Sequence, residues 1–64
     1  MDQDDSELTE RVAAYYVRSQ GEDAVDYLNE RAETAEAGGD AESALVWRQL
    51  ATAATKLLAL LQAT

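Results

Sequence analysis

Residues 38–63 read GGDAESALVWRQLATAATKLLALLQA, and this stretch decides the fold. Two glycines stop one helix and Asp40 caps the next. Trp47, Leu50, Ala51, Ala54, Leu57, Leu58 and Leu61 then recur at the spacing of one helical face. A second apolar set, Val46, Ala53 and Leu60 with Leu45 beside it, widens that arc beyond what one neighbouring helix covers. The helix over 40–62 is therefore the core element. Either two other helices pack on its two sides, or part of its arc meets another chain.

Upstream of the glycines, Glu22 and Asp23 supply carboxylates suited to a helix N-terminus, and Ala24, Val25, Leu28, Ala32 and Ala35 form one stripe, which predicts a helix over 22–37. The stripe is mostly alanine after Leu28, so it approaches a neighbour closely but buries little area. A first helix over about 5–20 starts at an acidic cap, Asp4 or Asp5, ends at Gly21 and places Leu8, Val12, Tyr15, Tyr16 and Ser19 inward, with Glu7 four residues before Arg11. Proline is absent, and the few valines never alternate with polar residues over a strand length. The expected fold is an all-α, compact three-helix bundle: a disordered acidic start over 1–5, then one domain over 6–64.

A 64-residue chain has little interior and is only marginally stable unless something is added to the core. The chain has no cysteine and no histidine, which removes disulfides, thiol nucleophiles, the usual general base and the common transition-metal ligands. The acidic start resembles a calcium loop only superficially: the glycine its turn needs is missing, and Ala13 stands where a glutamate should. The expectation is a protein that is not an enzyme and takes no cofactor or metal. Met1 is followed by acids where a leader would be basic, and Arg48, Gln49, Lys56 and Gln62 interrupt the apolar third helix. A cytoplasmic protein with no membrane span is expected.

Charge is distributed unevenly. All thirteen acids lie at or before Glu42, so residues 1–42, with Arg11, Arg18 and Arg31, carry a net −10, whereas residues 43–64 carry only Arg48 and Lys56. Glu22, Asp26, Glu30 and Glu33 follow one another along helix 2 as a ridge, about 6 Å apart per step of four. The ridge is either a solvated face or a surface for a basic patch on a protein partner, including a groove that otherwise holds nucleic acid. Direct nucleic-acid binding is disfavoured by the charge. The partner-binding candidates are Glu22, Asp26, Glu30, Glu33 and Tyr16, since one of the adjacent tyrosines 15 and 16 should be exposed enough to anchor an interface. Of the basic residues, only Arg11 has an acid three or four positions away on its own helix. Arg18, Arg31, Arg48 and Lys56 must find partners elsewhere or stay hydrated.

Ala13 or Ala14, Gly21, Ala24, Tyr27, Leu28, Glu30, Arg31, Gly39-Asp40, Trp47, Leu50, Ala51, Ala54 and Leu57 fall in an order that resembles a family of small uncharacterised alphaproteobacterial helical proteins, a domain of unknown function. That resemblance implies the helical fold and no activity. In size and charge only, the chain is also similar to phage-encoded inhibitors of bacterial defence systems. The expected function is a protein-binding regulator or inhibitor that uses its acidic helical surface. The alternative is a structural homodimer joined through helix 3, with the acids serving solubility.

Overall fold

A computed structural model describes the backbone of residues 2–63 and the side chains of residues 7–63. Three helices follow in order, α1 (Asp2–Gln20), α2 (Asp23–Ala37) and α3 (Ala41–Ala63), with no strand among the described residues. The acidic cap expected at Asp4 or Asp5 rests on side chains outside the described ones, and α1 begins at Asp2, ahead of the start near residue 5 that the sequence suggests. α3 packs most extensively on α2 and less on α1, while α1 and α2 touch least. Overall dimensions are 40 × 30 × 16 Å. The thin dimension is little more than one helix diameter of about 10–12 Å, so every helix keeps an outward side.

The turns are set by two glycines with left-handed backbone. Gly21 (φ 64°) donates its N–H to the Val17 carbonyl at 2.7 Å, closing α1. At the end of α2, Gly39 (φ 82°) donates to the Glu36 carbonyl at 3.0 Å and Asp40 donates to the Ala35 carbonyl at 2.8 Å. These paired bonds form a Schellman motif, which satisfies carbonyls a helix end leaves open. Asp40 then opens α3: its Oδ1 accepts the Ser43 N–H at 3.0 Å and its Oδ2 accepts the Ser43 hydroxyl at 2.7 Å. The side-chain and backbone hydrogen bonds from Ser43 hold the Asp40 carboxyl below its ordinary value of 3.8.

The core is small and built largely of alanine. Ala13, Ala24, Ala32, Ala44, Ala51 and Ala54 are buried, joined by Val17, Leu28 and Leu50, and Leu28 is the largest fully buried side chain. The stripe of α2 lies inward as its spacing predicts, with Ala24, Leu28 and Ala32 buried. α1 is rotated from the expected face. Ala13 and Val17 point inward, Val12 and Tyr16 are half-buried, and Leu8, Tyr15 and Ser19 face out. The shift is about one residue, or 100° around the helix. Size misled the reading here, because the close contact is made through Ala13 and the bulkier Leu8 and Tyr15 lie beside it. On α3, Leu61 was expected inward and is instead 64% exposed. α3, of 23 residues, is longer than its 15-residue neighbour α2, and Gln62 in its last turn reaches Glu22 at the start of α2.

Candidate functional site

Two surfaces stand out, one charged and one apolar, on different helices. Glu22, Asp26, Glu30 and Glu33 are all exposed on the side of α2 opposite Leu28. One basic residue bridges to α2 beside this row. Arg48 reaches from α3 to Glu36, with Nη2 2.7 Å from Oε1, and the hydrogen bond and charge of Glu36, followed by the charge of Glu33, raise its pKa further. This is the only ion pair among the described residues, so the expected Glu7–Arg11 pair is not formed at contact distance. At the opposite end of the α2–α3 pair, Gln62 donates to the Glu22 carboxylate at 3.1 Å. Glu22 is thus partly engaged, while Asp26, Glu30 and Glu33 project as an acidic row with no cation in bridging contact among the described residues.

Tyr16 does not stand free at the surface as an interface anchor. It is half-buried at the centre of an aromatic cluster drawn from all three helices: its ring centroid lies 5.6 Å from Tyr27, 6.5 Å from Trp47 and 5.5 Å from Tyr15. Tyr15, 65% exposed, is the outward member of the pair. The Arg31 guanidinium carbon lies 5.3 Å from the centroid of the Trp47 ring, a cation–π contact between α2 and α3. The sequence reading treated these aromatics singly and missed their convergence. The available signal was Arg31, four residues after Tyr27 and without an acid in helical reach, which left a ring as the partner it could find.

The apolar surface is on α3. Leu45 (59%), Val46 (54%) and Leu60 (67%) are exposed, larger than most of the residues inside. A groove of about 540 Å³ between α1 and α3 is lined by Thr9 and Glu10 on one side and by Gln49, Thr52, Ala53, Lys56, Leu57 and Leu60 on the other. By length and composition α3 could also cross a membrane, a test that core helices of soluble proteins pass as well. Among the described residues no ionisable side chain is buried and no three carboxylates converge as metal ligands. No protein-family model matches the chain, and no curated protein and no solved structure matches it.

Proposed function

We propose that the protein is a non-enzymatic, protein-binding regulator or inhibitor whose α2 outer face engages a basic patch on a partner. The observation that carries this reading is the row Asp26, Glu30 and Glu33. These carboxylates are exposed along one helix with no cation in bridging contact among the described residues, Arg48 being hydrogen-bonded to Glu36 and acting on Glu33 through its charge alone. Like charges at such spacing cost a few tenths of a kcal/mol per pair, a cost that complementary charge on a partner would offset. Carboxylates about 4.5–6 Å apart along a helix present a line of negative charge, as a phosphate backbone does at its denser ~3.4 Å per strand. A partner's nucleic-acid groove fits that pattern.

The test is capture from a bacterial lysate by the wild-type chain and by the double variant Asp26→Lys/Glu30→Lys. The proteins retained by the wild type should be basic, should be displaced by added duplex DNA and should be absent from the variant, whose helical circular dichroism stays the same. An identical set retained by both chains would contradict the acidic-face reading.

A further inference from the structure

Val46, Ala53 and Leu60 follow one another at seven-residue intervals, which makes a nearly straight strip along α3 that drifts about 20° per step. Burial changes across the strip. On one side Leu57 is half-buried and Leu50 is buried, while on the other Gln49 and Lys56 are exposed. The groove beside it has Ala53, Leu57 and Leu60 as its floor, Glu10 on the α1 wall and Lys56 on the far edge. Thr52, which also lines the groove, donates its hydroxyl to the Arg48 carbonyl at 3.1 Å and so asks little of an occupant.

We infer that this strip is a homodimer seam, in which α3 of a second copy packs parallel to α3 about a two-fold axis running along the pair. Charge leaves this face as the approach for a second copy. Each copy carries a net −8, with every acid at or before Glu42, so the α1 and α2 faces of two copies repel. The strip, bordered by Lys56 and without an acid on its own helix after Glu42, lets two copies meet without aligning carboxylates.

Charge also sets the direction. A two-fold along the helices carries the Lys56 flank of each copy towards the Glu10 wall of the other and leaves the two acidic α1 helices on opposite sides. An antiparallel pair would bring both α1 helices to the same side. Axes about 10 Å apart place equivalent Cα atoms about 5–6 Å from one another, so that Val46 and Leu60 pack on their own equivalents at the two ends with Ala53 between them. This seam lies on a different helix from the acidic row, so either reading can fail alone.

The chain has no cysteine, so single substitutions report the pairing directly. Leu60→Cys and Val46→Cys, each oxidised alone with glutathione disulfide, are expected to give a disulfide-linked dimer, since equivalent residues of a parallel pair come within the ~4.4–6.8 Å Cα separation a disulfide needs. Linkage only in a mixture of the two variants would overturn the parallel arrangement. Sedimentation equilibrium of the wild type is expected to give twice the 7.0 kDa chain mass at micromolar concentration. Leu60→Glu should weaken the dimer at least about 100-fold, because it sets two carboxylates face to face, with unchanged helicity. Should that variant lose helicity, Val46→Glu makes the same measurement from the other end. A wild-type monomer at every concentration overturns the proposal. So does a monomer that floats with phosphatidylcholine vesicles, which would assign the strip to a lipid surface.

Discussion

Asp40 and Gly39 show how few atoms decide the topology. The Asp40 N–H closes α2 on the Ala35 carbonyl while its carboxylate opens α3 on Ser43, so one residue ends one helix and starts the next. Gly39 makes this possible by adopting φ 82° with no atom near the position of a Cβ, so its requirement is purely one of backbone. Gly39→Ala is therefore expected to destabilise the fold by about 1–2 kcal/mol in urea titration. Gly38→Ala, at φ −84° with the Thr34 carbonyl at an ordinary 3.5 Å, should be neutral or stabilise by up to about 1 kcal/mol. Equal effects at the two glycines would contradict the motif. The Asp40 carboxyl is held below its ordinary 3.8, so its contribution is complete above that value and is lost as pH falls through the lowered one. Asp40→Asn, measured against wild type by thermal melts, should flatten the stability profile below pH 3.8 and leave its shape near neutrality unchanged. Much of this junction was legible, because Gly-Gly-Asp before an apolar period has few other uses.

At the scale of the element, alanine governs how the helices meet. Six of the nine residues buried among the described ones are alanine, and a helix contact built on them brings backbones close while contributing little buried area per residue. Leu28 stands out against that background. Leu28→Ala is expected to cost about 3 kcal/mol, which for 64 residues approaches the whole stability of roughly 3–10 kcal/mol. A chemical-denaturation midpoint unmoved by that change would show that α2 is not seated on the core as described. Periodicity located the inward stripe of α2 and most of that of α3, since each has one dominant apolar face. It misplaced α1, where Leu8, Tyr15 and Ser19 formed a plausible face and the tighter packing of Ala13 prevailed. Small residues carry little weight in a hydrophobic pattern and much in a packing contact. Tyr16, a candidate anchor by sequence, is half-buried between Tyr27 and Trp47.

Across the whole molecule, charge and apolar surface are separated onto different helices. The acids crowd α1 and α2, the exposed aliphatics other than Leu8 run along α3, and the single interhelical ion pair among the described residues, Arg48–Glu36, ties the two regions together at the end of α2. The sequence disclosed this partition as a break in composition after Glu42. It could not disclose which apolar residues the fold would leave outside, because that depends on how α1 and α2 divide the surface of α3 between them. Ionic strength addresses the two surfaces in opposite ways. Binding of a basic partner by the acidic row should weaken as salt screens the attraction, whereas self-association through α3 should strengthen as salt screens the repulsion between two chains of charge −8. The most direct test is sedimentation equilibrium of the wild-type chain at about 0.01 and 0.15 M salt, Debye lengths of about 30 and 8 Å. The account predicts a dimer that tightens as salt is raised. A chain of 7.0 kDa under both conditions, or a dimer that salt dissociates, would contradict it.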